Sequence, residues 1–558
     1  MPQDAYTIRY VANELKGLLC GGKISRIVQP ARDELTFIIY TGKTNVKLEA
    51  KLSAQDTRLS VASNEKPVPL SAPNFCMLLR KHLQNAEILN VVQPDFERII
   101  YFDLKCVSDF SSSVMRLYFE LMGKYSNAVL CENGVIVGAL KTTSIGENTK
   151  RVLFGGVGYV PPEKQDKIAP DDIDGLENVL KYVSGDAAKF ICVRVKGISY
   201  ATALDMVRVY GENITATDIR EYVYGSDTEP CVTYINGEAN DFKVRSAEKE
   251  KKVYKSVLEA QSAYYSYVDS KRAFNEKKSK LENALKSALK KIEKRIAAIE
   301  DKLAECKDAD IIKLKGELIT ANIYALQRGM TGFTALNYYD PDGGTVKIEL
   351  DGTLSPSANA QKYYKRYAKL KRTQTSVTAQ REEAERKLEY LNSIYSNIRA
   401  ADDSADFEET EEELEALGLI GKTDTRRKKQ SSAPFRSYNV GGFKIISGRN
   451  NLQNERLTKG LSPDDIWLHT QKYHSSHVGI ITNGRDVPDE VLKTAAEICA
   501  YYSDGRGGNK IPVDYTFKKY VKKPPKSNAG FAVYTNYKTV LTEPCANGSV
   551  SGDDDEKK

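Results

Sequence analysis

Between Glu238 and Lys315, and again between Ser357 and Leu417, this chain of 558 residues contains neither glycine nor proline, although both are common on either side. Stretches that long without the two main helix breakers predict two long helices. In the first, Leu285, Leu289, Ile292, Ile296, Ile299, Leu303 and Cys306 recur at alternating spacings of four and three. That rhythm is the a/d seam of a coiled coil. The second carries Ala384, Leu388, Leu391, Tyr395 and Ile398 in the same rhythm, so an antiparallel hairpin over 238–417 would bury both seams. At about 1.5 Å per residue, Glu250 to Lys315 would reach on the order of 100 Å and form a protruding arm. Between the helices, ANIYALQRG, NYYDPDGG and VKIELDGTLSP alternate apolar and polar residues around turn signals, which predicts a small module over about 318–357.

At about 150 residues per domain, a single core cannot serve the whole chain. Residues 1–170 read as a mixed α/β domain: a helix from Tyr6 to Leu19, then strands in KISRIVQ, ELTFIIY, NVKLEA, RIIYFDL, VMRLYFEL and NAVLCE. Over 171–230 short helical patterns are broken by SGD and KGIS, and Lys196-Gly197-Ile198-Ser199 before Ala203 resembles the hairpin of a helix-hairpin-helix unit, whose glycines let backbone amides approach a phosphate. Ser199 stands where the usual second glycine would be, and a plain helical linker domain is the competing reading. Asp402 to Glu415 holds nine acidic residues and no basic one, and RRKKQSSAP follows at Arg426. Such charge predicts a solvated linker, bounded at 418–434. A second small α/β domain covers 435–545, with strands in FKIISG, HVGIIT and FAVYTN and a helix from Asp489 to Tyr502, and 546–558 read as a disordered tail. The fold class is multidomain α+β.

No run approaches about 18 uncharged apolar residues, and MPQDAYTIRY lacks a basic stretch followed by an apolar one. Neither a membrane span nor export is expected. Nine cysteines, scattered singly without a Cys-x-x-Cys, fit a reducing cytoplasm. The sequence has no G-x-x-x-x-G-K-[ST], no G-x-S-x-G and no H-E-x-x-H, so nucleotide hydrolysis and hydride transfer lose their main signatures. His469, His474 and His477 lie within nine residues of one another, but a zinc site needs a fourth ligand or an open position with supporting carboxylates, and no metal is expected. Trp467, the only tryptophan, alternates with Ile466 and Leu468 and reads first as core.

What stands out is basic charge. Lys271 to Arg295 holds ten basic residues against three acidic, among them Lys277, Lys278, Lys280, Lys286, Lys290, Lys291, Lys294 and Arg295. Such a face is either a solvated side of the coiled coil or a row that neutralises nucleic-acid phosphates. Gly505 to Lys526 repeats the theme with seven basic residues against Asp514 alone; Lys518, Lys519, Lys522 and Lys523 are interleaved with Tyr515, Phe517 and Tyr520, which offers bases something to stack on. Near the N-terminus LLRKHL sets Arg80 and Lys81 on a helix, and FERII puts Glu97 beside Arg98 at a strand start, as an ion pair or a recognition pair.

FCMLLRKHLQNAEI, Glu97-Arg98, KGELITANIYALQRG, NYYDPDGG with LSPSANAQKYYKRY, GRNNLQNERLT, DDIWLHTQKYHSSHV and IPVDYTFKKYVKKPPKSNAGFAVYTN together resemble the NFACT family, in the family's order and over nearly the whole chain. Its bacterial members are called RqcH or FbpA and its eukaryotic one NEMF. The resemblance implies an NFACT-N domain, a helix-hairpin-helix domain, a coiled coil with its middle module, and an NFACT-R domain. It implies a cytoplasmic, nonenzymatic ribosome quality-control factor without cofactors. Such a factor acts as a monomer on large subunits obstructed by peptidyl-tRNA, meets rRNA and protein near the stalk base, and recruits alanyl-tRNA for template-free alanine tailing. The family's Asp-Arg pair, associated with tRNA, falls on Glu97 and Arg98, with glutamate replacing aspartate; Arg80 and Lys81 join it as tRNA-side candidates. Trp467, His469 and His477 match family positions in NFACT-R. The family's other name implies a fibronectin-binding surface adhesin, which the missing export signal opposes. A likeness to formamidopyrimidine DNA glycosylases would make Pro2 a nucleophile, but Gln3 replaces their glutamate and their four-cysteine finger has no counterpart.

Overall fold

The computed structural model describes residues 3–546 except 63–68, 70, 108–111, 144–150, 164, 184, 422–432 and 526. Pro2, most of the expected linker and nearly all of the expected tail therefore lie outside the described residues. The fold is mixed α+β, with several sheets and a long helical segment, in two compact units, 1–271 and 272–558.

In the first unit, α1 (Ala5–Leu19) forms where expected: Asp4 accepts from the Thr7 N–H at 2.9 Å, and Ile8, Val11, Leu15 and Leu19 make one buried stripe. Helix α1 packs on an antiparallel sheet together with α2 (Asn74–Leu83). Its strands are β1 (Lys23–Ala31), β2 (Glu34–Tyr40), β3 (Asn45–Leu52), β4 (Thr57–Val61), β5 (Glu87–Val92), β6 (Ile99–Val107), β7 (Ser112–Glu120), β8 (Asn127–Glu132) and β9 (Val135–Ala139), in the order β4-β3-β2-β1-β5-β6-β7-β8-β9. Strands β1 and β5 pair only at Lys23 opposite Glu87, so two meanders meet at a narrow seam. Helices α3 (Ile173–Leu180), α4 (Ala187–Arg194), α5 (Tyr200–Tyr210) and α6 (Ala216–Tyr224) follow.

The helical reading of 238–256 is wrong. Asn236 and Gly237, at φ +53° and +78°, form a left-handed turn that folds β10 (Cys231–Ile235) back on β11 (Glu238–Lys243), and β12 (Lys251–Val253) pairs on the other side of β10. A stretch free of glycine and proline is permissive for strand as well as helix. Here burial of Val232, Phe242 and Val244 decides for the sheet. Helix α7 (Val257–Glu305) begins later, and its 49 residues span about 74 Å rather than the expected length. Its first N–H groups, at Val257 and Leu258, each donate at 2.8 Å to the Glu14 carboxylate of α1.

In the second unit, bonds to the third preceding carbonyl close the turn from Cys306 to α8 (Ala309–Ala321). The small hairpin β13 (Gly332–Leu336) and β14 (Thr345–Glu349) packs through Ala335 and Ile348 on Leu318 and Ala360, before α9 (Pro356–Ala400) returns. The two seams meet as expected: Leu285, Ile292 and Ile299 share one core with Ala384, Leu391 and Ile398. Cross-links fix the antiparallel register, with Lys278 Nζ on the Arg399 carbonyl at 2.9 Å, Glu300 against Arg381 at 3.7 Å and Asp310 against Lys371 at 3.4 Å.

Asp402 to Glu415 is not a solvated linker. After a short turn at Ser404–Phe407, α10 (Glu408–Ala416) is helical, and Phe407 and Leu414 are fully buried in the coiled-coil core. The last domain is a six-stranded antiparallel sheet in the order β15-β16-β18-β17-β19-β22. Its elements are β15 (Arg436–Val440), β16 (Phe443–Ser447), α11 (Asn451–Gly460), β17 (Ile466–Thr470), β18 (Val478–Ile481), α12 (Asp489–Tyr501), β19 (Ile511–Phe517), the small pair β20 (Val521–Lys522) with β21 (Val533–Tyr534), and β22 (Lys538–Thr542).

Candidate nucleic-acid interface

The turn from β5 to β6 carries the first candidate pair. Asp95 and Phe96 both sit at positive φ, +50° and +53°, and the Glu97 N–H closes the turn on the Pro94 carbonyl at 3.0 Å. Left-handed non-glycine residues cost of order 1–3 kcal/mol each and persist where surroundings impose them. Here Phe96 is held against Gly197: a Cβ on Gly197, itself at φ +72°, would lie 2.7 Å from the Phe96 ring and from the Ala5 side chain. Glu97 does not pair with Arg98. Its Oε1 takes Lys196 Nζ at 2.9 Å, from the hairpin between α4 and α5. Arg98 is half-buried, and no side-chain partner is found for it among the described residues.

The hairpin's own polar groups are spent on docking. The Gly197 carbonyl accepts from the Ala5 and Tyr6 N–H groups at 3.0 and 3.3 Å, and Asp4 Oδ2 accepts from the Ser199 N–H at 3.0 Å and the Thr202 hydroxyl at 2.6 Å. The Ser199 amide is thus not free for a phosphate. Arg80 is an anchor, donating Nε to the Ile27 carbonyl at 2.7 Å, while Lys81 is exposed. No hydrogen bond or ion pair among the described residues joins either to Glu97 or Arg98.

The basic row of α7 divides in two. Lys277 pairs with Glu411 at 3.0 Å, and Lys278 donates to the Arg399 and Ala401 carbonyls at the end of α9, where burial holds its ammonium below the usual lysine range. Both brace the coiled coil. Lys286 is exposed beside Glu282 at 3.5 Å. Lys280, Lys290, Lys291, Lys294 and Arg295 are exposed on the side away from the seam, and no ion pair is found for them among the described residues. A face of five unpaired cations is the sort that phosphates neutralise.

In the last domain Trp467 is buried, donating Nε1 to the Thr458 hydroxyl at 3.1 Å. His469 stacks parallel to it at 5.7 Å, and His477 meets it edge-on at 4.9 Å while contacting Thr458 through Nδ1 at 2.7 Å. Among the described residues no cluster of three or more His, Cys, Asp or Glu is placed to hold a metal. Trp467 and His477 therefore frame the core instead of reaching solvent. Burial pushes the His469 imidazole down to about 4 and that of His477 to about 3, so both rings are neutral at pH 7. An unfolded histidine takes its proton near pH 6.5. The stability these rings contribute is thus complete above pH 6.5 and drains away as pH falls from there toward 4. Thermal melts should show this domain losing on the order of 3 kcal/mol per ring across that window, and His477→Gln should roughly halve the dependence.

The lysine strip lies at the end of β19. Lys518 and Lys522 have no ion pair among the described residues; Lys519 meets Asp464 at 3.1 Å and Lys523 meets Glu455 at 2.7 Å. Phe517 is 45% exposed beside Lys519, whose ammonium sits 5.0 Å from its ring, so aromatic and cation share one surface. Sequence reasoning placed Lys196 in the hairpin but missed its pairing with Glu97, and it missed Phe96 and the arginines that the acidic segment engages. Arg436 and Arg449 reach Asp406 at 2.8 and 2.6 Å, Arg449 also reaches Asp403 at 3.0 Å, and Arg456 pairs with Glu409. Their partners lie tens of residues away, beyond any local pattern.

Residues 4–433 match the model of the NFACT N-terminal and middle domains, and 434–532 that of the NFACT protein RNA binding domain. The chain is similar to the Rqc2 homolog RqcH of Bacillus subtilis, 30% identical over 553 residues, covering 96% of this chain and 97% of that protein. It is 28% identical to the Rqc2 homolog RqcH of Streptococcus suis, covering 98% of each. Among solved structures it is similar to the C-terminal part of the fibronectin/fibrinogen-binding protein of Streptococcus suis, at 30% identity and a TM-score of 0.39, over 49% of this chain and 96% of that one. Among the described residues no helix is long and apolar enough to cross a membrane.

Proposed function

This chain belongs to the NFACT family, and on that premise we propose that it is a ribosome-associated quality-control factor, one that binds large subunits obstructed by peptidyl-tRNA and recruits alanyl-tRNA for template-free C-terminal alanine tailing. The observation that carries the reading is end-to-end similarity to proteins named as Rqc2 homologues, through both family domains. The unpaired cations along α7 support it, because a row of that kind binds rRNA phosphates without reading sequence. The half-buried Arg98, beside a strained turn pinned by Lys196, supports a tRNA contact of fixed geometry. No nucleophile or metal of this chain enters the chemistry. The ribosome's peptidyl-transferase centre makes the bond, and the chain holds the acceptor tRNA near the empty site, so that a bimolecular encounter becomes a local one.

The test is cosedimentation with large subunits, paired with mass spectrometry of a stalled reporter in cells whose own factor is deleted. Reversing Lys290, Lys291, Lys294 and Arg295 to glutamate should weaken association by tenfold or more (a factor of about 10 or above at 100 mM salt) and flatten its salt dependence by about three logarithmic units per decade. Association indifferent to these charges would leave the row a solvated face.

A further inference from the structure

The acidic segment makes an unusual set of contacts for a linker. Its carboxylates face arginines of the RNA-binding domain: Asp402 meets Arg506 at 3.1 Å, Asp403 and Asp406 meet Arg449, and Glu409 meets Arg456. Guanidinium forks bind carboxylate and phosphate by the same two-pronged geometry. The seam is polar. Helix α9 contributes Ala400 to the core of that domain, and Asn397 and Ser393 bond Asn451 at 3.1 and 2.9 Å. It is also incompletely satisfied: Glu409 Oε2, Glu413 Oε2 and Asn450 Nδ2 are sealed from solvent with no hydrogen-bond partner among the described residues. Asn450 and Glu413 are more than nine-tenths buried, and Asn450 caps α11 right beside Arg449. A seam selected for stability alone would fill those valences, since an unmet buried polar group costs about 1–3 kcal/mol.

The carboxylate-paired arginines are continuous with the lysine strip. Glu455, one residue before Arg456 on α11, takes Lys523 at 2.7 Å, so the lysines and the carboxylate-paired arginines share one edge of the domain.

We propose that Arg449, Arg456 and Arg506 extend the lysine strip into a single track for the phosphate backbone of single-stranded RNA, and that residues 402–415 occupy the arginine half of the track as a built-in phosphate mimic. Phe407 and Leu414 keep the segment on the coiled coil, so the track opens when the RNA-binding domain separates from it. Single-stranded RNA is the chosen partner because exposed Phe517 lies at the lysine end, where an unstacked base can sit. The inference rests on the RNA-binding assignment of that domain.

The experiment is fluorescence anisotropy of the full chain with a labelled single-stranded oligouridine across a salt series, with duplex RNA as comparison. The triple variant Asp402→Asn, Asp403→Asn, Glu409→Gln, which frees Arg506 and Arg456 and leaves Arg449 held by Asp406, should bind the single strand at least about fivefold more tightly than the parent, with a salt slope steeper by about 1.4, one increment of roughly 0.7 per freed arginine. The single Glu409→Gln, which leaves the other carboxylates in place, should give part of that gain. Adding Arg456→Gln and Arg506→Gln to the triple variant should return affinity and slope to the parent values, whereas the same two changes in the parent should do little. Parent and triple variant binding RNA equally would overturn the mimic. Arginine changes that weaken the parent as much as the triple variant would show the track already open. Binding of duplex in preference to single strand would overturn the choice of partner, and absence of any RNA binding by the parent would remove the RNA assignment itself.

Discussion

Arg58→Met is expected to destabilise the N-terminal unit by about 3–5 kcal/mol, because it deletes a fully buried cation that faces three carboxylates. The Arg58 side chain is 1% exposed, with Nη1 2.7 Å from Asp56 and Nη2 3.2 Å from Glu49 and 2.5 Å from Asp269, and its guanidinium lies over the Tyr265 ring at 4.3 Å. Asp269 and Tyr265 belong to the first turns of α7, and Glu49 and Asp56 to β3 and the turn into β4, so one side chain pins the helix to the sheet. Burial alone would raise the Asp56 carboxyl, but Arg58 and Lys51 outweigh it and bring it down to about 2. That contribution is complete above the unfolded value near 3.9 and is lost as pH falls through about 2. Methionine matches the aliphatic stem but takes the guanidinium from three carboxylates, which is the costly way to break such a cluster. At roughly 2–4 °C per kcal/mol for a unit of this size, the melting temperature should drop by about 6–20 °C. A drop under 2 °C would mean that Lys51, 2.8 Å from Asp56, compensates alone.

That cluster marks the boundary of what could be read from the sequence. The coiled-coil seams were legible because their signal is periodic and local: heptad spacing states which face is apolar, and Leu285 does meet the returning helix. Most strands of the first sheet were legible from their apolar runs, whereas β4 mixes Thr57, Arg58 and Ser60 into a wholly buried run and β5 and β9 break their alternation, so none of the three stands out. Residues 238–256 misled because absence of breakers is not presence of a helix signal; the deciding turn, Asn236-Gly237, sits just outside the window. The acidic segment misled for a deeper reason. Nine like charges predict solvation only if no counter-charges are brought to them, and Arg436, Arg449 and Arg456 come from another domain. Likewise the partner of Glu97 is Lys196, about a hundred residues on. Long-range charge pairing has no period, so local patterns of sequence do not announce it.

For the tRNA-side pair, that long-range contact separates two roles that spacing alone conflates. Glu97 is tied to Lys196, so it holds the turn on the helical hairpin, whereas Arg98 has no side-chain partner among the described residues and is free to meet an anion. Arg98→Ala is therefore expected to leave the melting temperature within about 2 °C while cutting tRNA copurification by about 10- to 150-fold, the loss of one charge-assisted contact of roughly 1.5–3 kcal/mol. Glu97→Gln should lower the melting temperature slightly, since the pair is partly solvent-screened and worth about 1 kcal/mol or less. Glu97→Asp, which restores the family's side chain, shortens the reach to Lys196 by one methylene and should keep tailing. The decisive variant exchanges the pair, Glu97→Lys with Lys196→Glu. If the carboxylate acts only by pinning the turn, the exchange restores both stability and tail length. If it also faces tRNA, the exchange restores the melting temperature but not the tails, because a cation now stands where an acceptor for tRNA donors was. Tail lengths on a stalled reporter, read by mass spectrometry beside thermal melts of the same proteins, distinguish the two. Normal tails from the exchanged pair would confine Glu97 to a structural role and leave recognition to Arg98.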